Sequence, residues 1–386
     1  MASTAAGHEL APTTGATLVV GGTGYIGRFV AEAGLALGHA LYVLVRTFGP
    51  LVCPSRAATA AALREKGAII LEVIMHELSS RLSCMLTSIM MMTMRRRRRT
   101  SDVFQGSVND KDFMEKTLRE NNIHVVISAV GGETILDQLC LLDAILAAGT
   151  VKRFLPSEFG HDIDKANPVE PALSLYNRKR RVRRAVEAAG VPYTYICCNS
   201  IAGWPYHDNK HPSKAAPPLD RFVIYGDGSV RAFFVAGSDI GKFTMRSAFD
   251  SRTVNRAVHF RPSCNFISMN EMASLWERKI GRTLPRVSFT EEDLLAIAKE
   301  NEIPTSIVAA LTHDIFILGC QSNYSVDGVK DVEVSCLYPD MAFRTLDDCF
   351  SDYISSLLPH QTRETRPSAA AAAATVDQLA VPPATA

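Results

Sequence analysis

A run of glycines near the start, Gly21-Gly22-Thr23-Gly24-Tyr25-Ile26-Gly27, has the spacing that lets a backbone close around phosphate oxygens. The usable pattern is G-x-x-G-x-x-G, from Gly21, Gly24 and Gly27. Gly21 permits a tight turn, Gly24 lets the backbone approach a pyrophosphate, and Gly27 lets a helix pack close to a sheet. An apolar run at 17–21 reads as a strand, and 28–37 read as the helix whose N-terminus supplies free N–H groups and partial positive charge. A glycine run alone is a weak signal; its strand–turn–helix setting makes it a dinucleotide site. The end of the next strand selects the dinucleotide. Asp or Glu there would read a ribose 2′-hydroxyl, but this chain has Leu44-Val45-Arg46, at about the expected twenty residues beyond the glycines. The planar arginine fork suits a 2′-phosphate, so the expected cofactor is NADPH. Arg56 offers a second contact, with a solvated loop arginine as the equal alternative.

Further along, Phe154-Leu155-Pro156-Ser157-Glu158-Phe159-Gly160-His161-Asp162 follow a strand at 151–155. In a doubly wound sheet the carboxyl ends of strands face the ligand crevice, which places His161 as a proton donor or acceptor. A lone histidine is as often structural. Lys179 lies in Tyr176-Asn177-Arg178-Lys179-Arg180-Arg181-Val182-Arg183-Arg184. Short-chain dehydrogenases align Tyr and Lys at i, i+4 on one helix face. Here Tyr176 and Lys179 stand at i, i+3 and Arg180 takes the usual lysine position, so the residues alone read as a solvated basic face. Adjacent Cys197 and Cys198 do not easily close a strain-free disulfide, and no Cys/His group has zinc spacing, so no metal is expected. They end an apolar strand and read as buried beside a pocket. His313 reads as structural or pocket-lining.

These groups need elements to hold them. Strands at 17–21, 41–45, 123–130, 151–155 and 193–197 alternate with helices at 28–37, 57–65, 135–148 and 180–189, and another strand starts at 67–70. That rhythm predicts an α/β fold, a Rossmann-type doubly wound parallel sheet. After residue 200, Pro, Gly and Asp punctuate short strands at 221–225 and 232–235, before helices at 270–280, 291–300 and 304–311. This part reads as a smaller C-terminal substrate-binding lobe. The expected division is a flexible N-terminus at 1–15, a nucleotide-binding domain at 16–200, the lobe at 201–358, and a disordered Ala/Pro tail at 359–386. Residues 71–102 break the rhythm with a methionine-rich stretch and then Arg95–Arg99. A structureless stretch of that length is uncommon inside a compact domain. It reads as a tolerated surface insertion or a translated stretch of non-coding sequence rather than a basic docking loop.

Bulk properties set the limits. The 386 residues are 47% hydrophobic and 21% charged, ordinary globular composition. Net charge is +1, so no whole-protein field favours nucleic acid. Nine cysteines, an odd count at irregular spacing, predict free thiols in a reducing compartment. The first fifteen residues lack a targeting pattern, and no apolar run reaches the ~18 residues of a membrane span. A cytoplasmic protein is expected; its oligomeric state is left open.

The run Phe154-Leu155-Pro156-Ser157-Glu158-Phe159-Gly160 with Lys179 beyond it resembles the isoflavone-reductase-like group of atypical short-chain dehydrogenases. Three stretches, Arg153-Phe154-Leu155-Pro156, Ile196-Cys197-Cys198-Asn199 and Thr312-His313-Asp314-Ile315-Phe316, narrow the likeness to the plant leucoanthocyanidin reductases. It covers residues 15–70 and 104–355. The resemblance implies flavonoid biosynthesis: NADPH-dependent reduction of a flavan-3,4-diol such as leucocyanidin to a flavan-3-ol such as catechin. It implies Lys179 as the base on a ring phenol and His161 as the acid for the C4 oxygen. A lysine among arginines should have a lowered pKa, as a base requires. The likeness further implies cofactor contacts from Arg183 and Phe159, and substrate contacts from Tyr176, Cys198 and Asn199. Family members pass directly from the 67–70 strand to a segment like Gln105-Gly106-Ser107-Val108-Asn109-Asp110, so the insertion is a departure. The rival within the group is a benzylic ether or pinoresinol reductase, against which Ile196-Cys197-Cys198-Asn199 argues. The rival of another class is a non-catalytic NADP sensor with protein partners, which would need no Lys179.

Replacing Arg46 tests the cofactor expectation. The parent should strongly prefer NADPH to NADH, and Arg46→Asp should weaken NADPH binding and narrow the preference. Calorimetry giving the parent equal affinity for both would refute it.

Overall fold

The computed structural model describes residues 15–47, 54–74, 103–104, 109–202 and 218–361. The opening apolar run forms β1 (Ala16–Val20), buried throughout. After the glycine turn come α1 (Tyr25–Ala36), β2 (Leu41–Thr47), α2 (Pro54–Glu65), β3 (Ile69–Ile74), β4 (Val103–Phe104), α3 (Lys111–Glu120), β5 (Ile123–Ser128), α4 (Asp137–Ala148) and β6 (Arg153–Leu155). The six strands lie in the order β4-β3-β2-β1-β5-β6, every pair parallel. This is the expected doubly wound sheet. Its order reverses between β1 and β5, where such folds open a ligand crevice at the strands' carboxyl ends.

The sheet does not stop at β6. A parallel bridge from Phe154 to Tyr193 hands it on to β7 (Thr194–Cys197). There β7 pairs with β11 (Arg256–His259), and β11 with β14 (Asp331–Glu333). Helix α6 (Gly237–Phe249) packs on α1, with Ile240 and Phe243 sharing a core with Val30 and Ala31. The division expected at residue 200 is thus crossed by β11, β14 and α6. Beyond it, β8 (Ser200–Ile201), β10 (Arg231–Val235) and β12 (Phe266–Ser268) form a small sheet, and β9 (Phe222–Tyr225) pairs with β13 (Arg286–Phe289). Helices α7 (Met269–Ile280), α8 (Glu291–Glu300), α9 (Thr305–Phe316), α10 (Val334–Leu337) and α11 (Leu346–Gln361) complete this part. Ser268 with Glu271 and Thr290 with Asp293 form the capping boxes that start α7 and α8. Trp276, Phe316 and Phe350 fill the core among them.

Two boundaries differ from expectation. The insertion was expected from residue 71, but β3 runs through Ile74 in register with Thr47. The reason is that Leu71-Glu72-Val73-Ile74 keeps the strand alternation: Leu71 and Val73 enter the core while Glu72 reaches out to Arg64 at 3.1 Å. The rest of the expected insertion, 75–102, lies outside the described residues. The tail was expected from 359, but α11 continues to Gln361, and 362–386 lie outside the description with 1–14.

One ion-pair network ties the loop after β6 to α5 (Ala172–Ala188). Arg183, 2% exposed, grips Glu158 with two hydrogen bonds of 3.1 and 3.0 Å, and Asp162 with one of 2.7 Å. The Tyr195 ring lies 4.4 Å below its guanidinium. Burial opposes ionisation of Asp162, but Arg183 and then His259 outweigh it and hold the carboxyl below its usual range. His259 sits 3.8 Å from Asp162 and 3.7 Å from Asp331, whose partner is Lys165.

Two measurements follow. Leu71→Ala should cost about 2–5 kcal/mol, as for a core strand residue; a neutral result in chemical denaturation would return residue 71 to a loop. Arg183→Met leaves two buried carboxylates unpaired and should cost about 3–5 kcal/mol. The Asp162 contribution is present above the ordinary Asp pKa and is lost as pH falls through the lowered native value, so the gap between variant and parent should narrow in acid. A constant gap would contradict this.

Candidate active site

The glycine turn stands at the carboxyl end of β1. Gly21 has φ +82°, and a Cβ there would lie 2.7 Å from the Ala129 carbonyl oxygen beyond β5. At Gly27 a Cβ would lie 2.2 Å from the Gly21 oxygen. Both positions admit only glycine, one for its backbone and one for its close contact. Gly24 is the N-cap of α1, with no side-chain cap and no acidic residue in the first turn. The helix end keeps N–H groups and partial positive charge for an anion. Gly22 is buried; Thr23, Tyr25 and Ile26 are half-buried around the turn. These residues fit a dinucleotide's pyrophosphate. Arg46 has its backbone near the carboxyl end of β2, opposite Val73, and its side chain lies outside the description. Arg56 is exposed in the first turn of α2. Sequence reasoning missed Arg28, directly after Gly27. Its guanidinium lies 4.5 Å from the Phe29 ring and 5.4 Å from the Tyr25 ring, and its buried Nε has no hydrogen-bond partner among the described residues.

Helix α5 brings Tyr176, Lys179, Arg180 and Arg183 to one face, by the i, i+3, i+4, i+7 spacing. That face is turned inward. Lys179 donates to the Glu158 carbonyl at 2.6 Å, and Arg180 to the Ile163 and Ala166 carbonyls at 2.8 and 2.6 Å. Only the other side, with Arg181 and Arg184 exposed, is the solvated basic face. Burial lowers the Lys179 pKa; Glu158 opposes the shift and Arg183 adds to it. The expected direction holds, but desolvation outranks the neighbouring arginines as its cause. The Tyr176 hydroxyl is 2.6 Å from His161 Nδ1, both residues being buried. Burial and then the Lys179 charge take His161 down to about 3, so its ring is neutral near pH 7. It carries one ring proton there, without the second that an imidazolium would give up.

Three residues expected at ligands make contacts within the protein. Arg183, expected at the cofactor, is buried with its fork committed to Glu158 and Asp162. Cys198, expected at the substrate, is fully buried, and burial pushes its thiol up to about 12. Asn199, also expected there, turns inward: Nδ2 donates to the Phe260 carbonyl and its backbone N–H to the Gly160 carbonyl, each at 3.0 Å. It braces the loop that carries His161. Phe159 has φ +39°, uncommon for a bulky side chain, and is pinned by its N–H to the Ile196 carbonyl at 3.0 Å. Such strain persists only where the surroundings over-determine it.

His313 lies 2.9 Å from Glu291 through Nε2, which fits the structural alternative. Its neighbour Asp314 was missed. Asp314 is buried, and one of its carboxylate oxygens, a His161 ring nitrogen and Cys320 Sγ lie within 4.8 Å of one another. Asp314 stood in the quoted Thr312–Phe316 stretch, but sequence distance gave no reason to join it to His161. Asp162, Cys197 and His259 form a second buried trio among the described residues. There Arg183, 2.7 Å from Asp162 and 3.8 Å from Cys197, already supplies the cation.

The NmrA-like family model matches residues 13–350 of this chain. Leucoanthocyanidin reductase of Desmodium uncinatum is 53% identical over 342 residues, 89% of this chain and 80% of that protein. Phenylcoumaran benzylic ether reductase IRL1 of Ginkgo biloba is 40% identical over 337 residues, 87% and 98% of the two chains. The solved binary complex of leucoanthocyanidin reductase with NADPH from Vitis vinifera superposes with a TM-score of 0.76 at 53% identity, covering 88% of this chain and all of that one. A glycine cradle at the sheet's switch point, an inward lysine on α5 and this likeness over most of the chain agree: the chain belongs to the NmrA-like family.

Proposed function

We propose that this chain is an NADPH-dependent leucoanthocyanidin reductase, an oxidoreductase that converts flavan-3,4-diols to flavan-3-ols such as catechin. The observation that carries the reading is Lys179, half-buried, with its pKa lowered and its ammonium nitrogen on the Glu158 carbonyl, within electrostatic reach of His161. The 53% identity to a leucoanthocyanidin reductase, against 40% to a benzylic ether reductase, supports the substrate class. The partner is a small flavonoid, and neither nucleic acid nor membrane enters the reading. Among the described residues no helix is long and apolar enough to cross a membrane. A reducing, cytoplasmic setting belongs to the same reading.

Gly21, Gly22, Thr23, Gly24, Tyr25, Ile26 and Gly27 would hold the pyrophosphate at the N-terminus of α1, with Arg46 and Arg56 toward the 2′-phosphate and Phe159 beside the nicotinamide. When bound, NADPH supplies the hydride that C4 receives. Lys179 in its neutral form takes the proton of a ring phenol. The released electron density pushes out the C4 oxygen, which needs a proton because hydroxide leaves poorly. His161, with Tyr176 at Nδ1, passes that proton and leaves a quinone methide on the substrate.

Lys179→Ala should lose about 10²-fold or more of the activity on leucocyanidin, the scale of one acid–base group. NADPH affinity should change far less, since the lysine holds no phosphate. His161→Ala should matter less for a substrate with a better leaving group at C4. Steady-state turnover with product analysis, beside cofactor titration, reads all three. Near-normal turnover in Lys179→Ala would remove the mechanism.

A further inference from the structure

The reaction proposed above consumes one proton for each C4 oxygen expelled, and His161 is neutral near pH 7. Some other group must refill it. Asp314 on α9 is 2% exposed, and its Oδ2 is buried without any hydrogen-bond partner among the described residues. An orphaned buried acceptor is costly and demands a reason. One carboxylate oxygen lies within 4.8 Å of a His161 ring nitrogen and of Cys320 Sγ. No hydrogen bond joins the two among the described residues; catalytic contacts that are loose in unliganded sites tighten when substrate arrives.

We infer that Asp314, in its protonated form, is the positioning and proton-supplying residue behind His161. The inference rests on the reductase reading above. The Asp314 O–H bond breaks as an N–H bond forms at the ring nitrogen that Tyr176 does not hold, Nε2. The proton at Nδ1 passes to the Tyr176 oxygen, and the Tyr176 hydroxyl proton goes to the C4 oxygen. The C4–O bond breaks, its electron pair leaves with the oxygen as water, and the phenolate pair moves into the ring to give the quinone methide. Asp314, now a carboxylate, regains its proton from solvent before the next turnover.

The surroundings favour the acid form. Burial raises the Asp314 pKa, opposed by a hydrogen bond from Cys320 and the charge of His313. Cys320, with its thiol pushed well above the usual range by burial and by Asp314, keeps its hydrogen. The titratable groups facing the pair are Cys320 and His313 beside Asp314, Glu291 behind His313, and Tyr176 and Lys179 beside His161. None is a fixed cation placed to force Asp314 to ionise.

The test uses the full chain with leucocyanidin and NADPH across pH. Lys179 must be neutral, so activity rises as pH climbs through its pKa; Asp314 must be protonated, so activity falls as pH climbs through its own. Asp314→Asn should lower kcat about 10- to 100-fold, the scale of one proton-transfer group, and abolish the alkaline fall while the acid limb remains. KM and NADPH affinity should stay near the parent's. Asp314→Glu, which keeps the acid, should retain the alkaline fall. An Asp314→Asn enzyme with the parent's kcat and pH profile overturns the inference. If the parent itself fails to reduce leucocyanidin, the reductase reading falls instead. The nitrogen resonances of His161 in ¹⁵N-histidine-labelled protein then still decide the pairing: they should shift in Asp314→Asn, and unchanged signals overturn it.

Discussion

The site depends on one buried guanidinium. Arg183 is out of water with two carboxylates, Glu158 and Asp162, on its fork. Charges so placed are stable only while all are present, because each alone would bear the full cost of leaving water. The bonds therefore hold the loop after β6 to α5 with little freedom. Everything chemical hangs on that loop: the Glu158 carbonyl that receives Lys179, the left-handed turn at Phe159, and His161 against Tyr176. A gentler anchor would leave Lys179 in water, where it would hold its proton.

The cofactor side is positioned by different physics. Close packing sets it: the turn at Gly21 and the contact of Gly27 with the Gly21 carbonyl bring the start of α1 against the end of β1. The two halves meet at the carboxyl ends of β1, β5 and β6 because parallel strands all point the same way. A rigid steric cradle proposed for the phosphates thus stands next to an electrostatically held loop proposed for proton transfer.

Much of this was legible in the sequence. Short, β-branched runs bounded by Gly and Pro mark β1, β2 and β5, and the glycine spacing marks the turn, since both signals are local. The basic run on α5 misled because composition ignores direction: the same helix turns Lys179 and Arg183 in and Arg181 and Arg184 out. Resemblance pointed to Lys179 and His161, but it could not say that Arg183 and Asn199 face inward as braces. Asp314 was invisible because nothing local connects α9 to the loop after β6. The end of β3 was misplaced because a change in composition drew the eye before the alternation of Leu71 and Val73 had ended.

The extension of the sheet through β7, β11 and β14 bears on how the chain is made. A nascent polypeptide emerges N-terminal end first, and a domain folds as a unit once its partners are available. Here β7 ends at residue 197, while β11 starts at 256 and β14 at 331. Through the synthesis of all that intervening chain, β7 offers an open, hydrogen-bond-hungry edge at the ribosome's exit. Such edges invite pairing with the wrong strand. The two strands that cover this edge, β11 and β14, can join it only after the chain beyond residue 331 has been made.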